Sequence, residues 1–276
     1  MTTTQPVLDQ PATAASAPVV LYAFPARAWK RDEYAALQDS AVAPSLVVLS
    51  EPDGEATWAG DSVEAMADRY AQAIALHAQK TKPRPIALFG WSVGALVALE
   101  VARLLRERFD IAWVGAVDIA AFPQMRAALA GIPPLEATER EALDGVLQDW
   151  LARSAMRGLW QQTLGRMARP QHDMFLREVV QAYGAALPAD GPAAGSQEHT
   201  LWSRVNCMRL GIAHVAGDDK PAPVRWWMSQ EMAASPGART EGVEVIAGSD
   251  HVGVLADRAL HAAVQQALQE AGARSR

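Results

Sequence analysis

Cysteine is all but missing from this chain: Cys207 is the single one in 276 residues. No disulfide can form within it, which suits a reducing compartment such as the cytoplasm. Cys207 itself reads as a small buried apolar residue. No apolar run approaches the ~18 residues of a membrane span. Clusters of Lys and Arg are also missing, and the net charge is -6. Nucleic acid is therefore not an expected partner. Residues 1–17 are polar, rich in Thr, Ala and Pro, and lack the basic start and apolar stretch of a signal peptide. They read as a disordered leader. There is no internal repeat.

What is present is ordinary globular material. Half of the residues are hydrophobic and a fifth are charged, ample for a buried core. Six short apolar runs read as strands: Pro18–Phe24, Leu46–Ser50, Pro85–Phe89, Ile111–Val117, Gly211–Ala216 and Gly242–Ala247. Most are apolar at nearly every position, as parallel strands are when helices cover both faces of a sheet. Helical patterns lie between them. Asp61–Lys80 carries Val63, Met66, Tyr70, Ile74 and His77 on one stripe and opens with an Asp61-Ser62 cap signal. Gly94–Phe109 and Asp257–Ala271 complete the alternation. Strands alternating with helices predict a mostly parallel, twisted, doubly wound α/β sheet. Residues 18–276 read as that one domain.

One stretch breaks the pattern. Pro123–Thr200 is helical throughout, punctuated by Ile132-Pro133-Pro134, Arg169-Pro170 and the Pro188–Ser196 run. It falls between the fourth and fifth expected strands, and residues 123–200 read as a helical lid. Trp150, Leu151, Met156, Leu159, Trp160, Met167, Met174 and Phe175 could line an apolar chamber there, or simply pack the helices.

Gly90-Trp91-Ser92-Val93-Gly94 matches G-x-S-x-G. The pattern alone is weak, but it follows an expected strand and opens an expected helix, which is the setting a nucleophilic serine needs. The turn is tight, so the neighbours two positions away must be small. The helix N-terminus points free N–H groups at the reacting atoms, and the Val93 N–H is one candidate oxyanion donor.

A serine hydroxyl needs a base. Of six histidines, His251 stands apart, in a loop after the last expected strand, where an open α/β sheet places its ligands. His77 and His214 read as packing residues, the latter inside a strand. The third group holds the imidazole in one tautomer. Asp118 ends the fourth expected strand, and Asp218-Asp219 follow the fifth. Spacing leaves both open. Asp118 is the preferred acid, because a carboxylate so close to a core strand is tolerated only with a partner.

Together these pieces resemble the thioesterase domain family of nonribosomal peptide and polyketide synthases, on the α/β-hydrolase fold. Leu21-Tyr22-Ala23-Phe24-Pro25-Ala26 is similar to the family's "FAFP" opening. Phe89–Ala95 resembles its G-[WY]-S-x-G elbow, Glu100–Leu105 the helix that follows, and Ala116–Pro123 its aspartate motif. Gly248-Ser249-Asp250-His251 resembles the Gly-x-His ending. One departure stands out: the glycines usual after "FP" are missing from Pro25-Ala26-Arg27-Ala28-Trp29-Lys30.

The resemblance implies a Ser92, Asp118, His251 triad that takes an acyl, polyketide or peptidyl chain from a carrier protein's phosphopantetheine thioester. Release would be to water or by cyclisation, with no metal and no cofactor of the enzyme's own. Val93 and either Ala26 or Arg27 would form the oxyanion hole. Arg27 and Lys30 would meet the phosphopantetheine phosphate or an acidic carrier face, or be plain solvated surface. An acid at Asp118 suits a product-releasing enzyme, and one at Asp218 or Asp219 an editing enzyme. A chain starting at Met1 without a carrier domain suits an enzyme acting in trans. A small-molecule carboxylesterase with the same triad, and a non-catalytic synthase partner, are the rival expectations.

Overall fold

A computed structural model of the chain describes residues 6–9, 17–26, 31–51, 58–80, 84–119, 121–180, 192–214, 222–235, 238 and 240–274. Its framework is a seven-stranded sheet in the order β1-β3-β2-β4-β5-β6-β7. The strands are β1 (Val7–Asp9), β2 (Val20–Phe24), β3 (Leu46–Ser50), β4 (Ile86–Trp91), β5 (Ile111–Val117), β6 (Val224–Ser229) and β7 (Val243–Ile246). All neighbours are parallel except β1, which runs antiparallel to β3. Helices α1 (Val63–Gln79), α2 (Val93–Leu105) and α9 (Arg258–Arg274) belong to the same unit as the sheet.

β2, β3 and β4 are buried along their whole length, as their continuous apolar runs require. α1 buries Val63, Met66, Tyr70 and Ile74, one face at helical spacing. Its cap is Ser62, whose side chain accepts from the Ala65 N–H. Tyr22 reaches His77 across this packing, with its hydroxyl 2.7 Å from Nδ1.

Two expectations are corrected. Val7–Asp9, inside the stretch expected to be a disordered leader, forms the edge strand β1. Three residues are too few for a periodicity to register in sequence. The rest of 1–17, apart from residues 6 and 17, lies outside the described residues.

The second correction is larger. Gly211–Ala216 is not a strand, since Gly211–Ala213 is the last turn of a long helix, α7 (Pro192–Ala213). A Cβ on Gly211 would sit 2.1 Å from the Phe122 ring, so this helix end packs there in close contact. A short apolar run cannot be assigned to strand or helix by periodicity alone. The strand that follows β5 in the sheet is Val224–Ser229 instead. His214, read as a strand residue, lies just past α7 with its Nδ1 2.7 Å from Glu64. Asp218 and Asp219 therefore precede β6 and lie outside the described residues.

The helical insertion runs further than 123–200. Between β5 and β6 come α3 (Ala121–Ala130), α4 (Ala137–Arg153), α5 (Arg157–Gly165), α6 (Arg169–Phe175) and α7. Residues 122–213 with 55–60 form a compact unit of their own. Within it Trp150 and Trp160 meet edge to face at 4.8 Å, and Trp160 lies 5.7 Å from Phe175. These aromatics pack the helices against one another. Met167, Met174 and Phe175 line a small apolar cavity inside the same unit.

Candidate active site

The elbow is built by close approach. β4 ends at Trp91, α2 begins at Val93, and Ser92 between them has φ 53° and ψ -127°. That conformation is costly for any residue with a Cβ. It persists because the surroundings leave no alternative. A Cβ on Gly90 would fall 2.2 Å from the Gly94 carbonyl oxygen, and one on Gly94 would fall 2.0 Å from that of Phe24. The Ser92 N–H donates to the Val117 carbonyl at 2.8 Å, which ties the elbow to the end of β5. The Ser92 side chain makes no capping bond to α2, so its hydroxyl is not spent on the helix.

Asp118 follows Val117 and also has a positive φ, 56°. Its side chain is fully buried and held on both oxygens. Ser229 donates to it twice, from N–H to Oδ1 at 2.7 Å and from the hydroxyl to Oδ2 at 2.8 Å. Its Oδ2 is 2.9 Å from Nδ1 of His251. A buried carboxylate is stable only when such partners offset its lost hydration.

His251 lies in the turn after β7. Its backbone N–H donates to Glu231 Oε2 at 2.7 Å, and the Glu231 N–H donates to the Ser249 carbonyl at 3.2 Å. A short turn, α8 (Gln230–Ala233), thus clasps the histidine loop to the end of β6, with Gln230 accepting from the Gly248 N–H at 2.7 Å. The imidazole is a third exposed and lies over the indole of Trp91, ring centroids 4.8 Å apart and planes at 38°. Ser92, Asp118 and His251 are thereby brought to one end of the sheet, within one unit.

The two expected oxyanion donors fare differently. Val93 is the first residue of α2, where N–H groups have no partner inside the helix. Ala26 is buried, but its N–H is not open: it donates to Glu33 Oε2 at 2.8 Å. Arg27 and Lys30 lie outside the described residues. Sequence alone does not put Glu33, Ser229, Glu231 or Trp91 in these places. Only Trp91, within the elbow motif, carried a sequence signal. Ser229 ends β6, a strand whose sequence is less apolar than that of Gly211–Ala216.

Sheet order, crossovers and elbow are those of the α/β-hydrolase fold. The thioesterase domain family model matches residues 20–155, which include Ser92 and Asp118. Among solved structures it is similar to BorB, a type II thioesterase from the borrelidin biosynthetic cluster, at 15% identity over 95% of this chain and 96% of that one, with a TM-score of 0.53. The NocB thioesterase domain, in covalent complex with a fluorophosphonate nocardicin G analogue, is 17% identical over 95% and 99%, TM-score 0.53. The RedJ thioesterase of the prodiginine pathway in Streptomyces coelicolor is 18% identical over 95% and 88%, TM-score 0.52. At such identities the likeness is one of fold. No curated protein matches the chain.

Proposed function

We propose that this protein releases an acyl, polyketide or peptidyl chain from the phosphopantetheine thioester of a carrier protein, through an acyl-enzyme on Ser92. The observation that carries the reading is the buried Asp118 carboxylate, 2.9 Å from His251 Nδ1, at the sheet end where Ser92 is held in strained geometry. The thioesterase match supports the substrate class.

With Nδ1–H directed to Asp118, His251 keeps Nε2 free to accept a proton. Nε2 takes the Ser92 hydroxyl proton as Oγ attacks the thioester carbonyl, and the negative charge moves to the carbonyl oxygen. The Val93 N–H at the start of α2 stabilises that oxyanion. As the tetrahedral intermediate collapses, the C–S bond breaks and the imidazolium proton goes to the leaving thiolate. An acyl-Ser92 ester remains. Water, or a hydroxyl or amine of the chain, gives its proton to Nε2 and attacks that ester, and Ser92 regains its proton. Asp118 stabilises each imidazolium.

The Ala26 N–H is the second oxyanion donor in this reading, and the substrate oxygen replaces Glu33 on it. The test compares a pantetheine thioester with an oxygen ester of the same acyl chain. Higher kcat/KM for the thioester is expected. A strong preference for the simple oxygen ester would instead make the protein a small-molecule carboxylesterase.

A further inference from the structure

Ser229 is fully buried and makes two hydrogen bonds to one carboxylate. Its place follows from the sheet. β5 and β6 are parallel neighbours with Val117 opposite Trp227, and the Asp118 N–H donates to the Trp227 carbonyl at 3.1 Å. The last residue of β6 therefore arrives beside the first residue past β5. At this junction the backbone N–H of Ser229 meets Asp118 Oδ1, and its hydroxyl meets Oδ2. The same hydroxyl oxygen accepts from the Met232 N–H at 3.3 Å. That bond occupies a lone pair and directs the single O–H proton at Asp118.

The geometry has a chemical consequence. Oδ2 is the oxygen that also faces His251 Nδ1. Without a second donor, a buried carboxylate could turn about its Cβ–Cγ bond or tilt off the imidazole. Two donors from one residue, one on each oxygen, fix both its plane and its rotation. We infer that Ser229 is a positioning residue for the reaction, acting through Asp118 to hold the His251 imidazole in the orientation and tautomer that accept the Ser92 proton. This rests on the triad reading above. Ser229 is fully buried and acts through Asp118, not on the substrate.

The experiment is a double-mutant cycle on the full chain, read by the labelling rate of a fluorophosphonate probe and by kcat and KM on an acyl-pantetheine thioester. Ser229→Ala removes the hydroxyl and keeps the backbone N–H. In the native background labelling and kcat are expected to fall about 10- to 100-fold, with KM little changed. In an Asp118→Asn background the same substitution is expected to cost less than about threefold, because the group it acts through is already disabled. Ser229→Cys, a weaker donor of similar size, falls between native and alanine, and it carries the test if the alanine variant does not fold. An equal loss in both backgrounds, or no loss in the native one, overturns the inference while leaving the triad standing. Native speed in Asp118→Asn alone overturns the triad reading and the inference with it.

Discussion

Ser92 holds a backbone conformation that favours glycine, with φ 53°. Such strain costs roughly 1–3 kcal/mol. Ser92→Gly should therefore raise the melting temperature by a few degrees while abolishing probe labelling, and calorimetry checks it. A lower melting temperature would mean that the side chain stabilises the elbow. A second residue-level prediction concerns Glu33. Its carboxylate holds the Ala26 N–H at 2.8 Å, where the substrate oxygen is proposed to bind. Glu33→Ala removes that competitor, so Ser92 labelling should accelerate by up to about tenfold, equivalent to ~1.4 kcal/mol. Unchanged or slower labelling would remove Ala26 from the oxyanion site.

At the scale of elements, the elbow depends on helix α2 lying close to the end of β2. The Cβ of Gly94→Ala would meet backbone at Phe24, not a flexible side chain. The helix start must then shift, at a cost of about 1–3 kcal/mol or more, and Ser92 shifts with it. Thermal melting should show the loss of stability and labelling a larger loss of rate. A Gly94→Ala protein with native labelling would show that the contact is not what places Ser92. The elbow was legible in the sequence because such a contact leaves paired glycines behind. Asp118 was legible as an isolated carboxylate at the end of the apolar run of β5. β6 was not: it opens with the half-buried Val224, Arg225 and Trp226, whereas the more apolar Gly211–Ala216 begins as the end of a helix. Nothing in sequence sets Glu33 or Glu231 apart from any solvated acid, because neither lies in a motif and each meets one through a backbone N–H, that of Ala26 or of His251.

For the whole molecule, ionisation predicts weakening on the acid side. Burial, then the charges of Arg84 and Lys80, hold the His77 imidazole below its ordinary value. The unfolded chain then binds more protons as pH falls, so stability from this group is complete above the ordinary histidine value and is lost as pH drops through the folded one. In the helical unit, burial pushes the Asp173 carboxyl up. The bonds from Arg140 at 2.7 Å and the Leu135 N–H at 3.1 Å outweigh it, and the net shift is downward. Its contribution is complete above the ordinary aspartate value and is lost as pH falls through the depressed one. The melting temperature should be level between about pH 7 and pH 9, decline from about pH 6.5, and decline again below about pH 4. A melting temperature that rises from pH 7 to pH 5 would contradict the His77 assignment, and one that stays level below about pH 4 would contradict that of Asp173. Among the described residues no helix is long and apolar enough to cross a membrane.

In the proposed reaction Ser92 carries the acyl group between donor and acceptor. Intact-mass analysis after rapid mixing with an acyl-pantetheine thioester, followed by acid quench, tests it most directly. A single acyl adduct is expected, one that maps to Ser92, disappears with time, and is absent from Ser92→Ala. An adduct of the same mass on the Ser92→Ala protein, or turnover by that protein at the native rate, would contradict it.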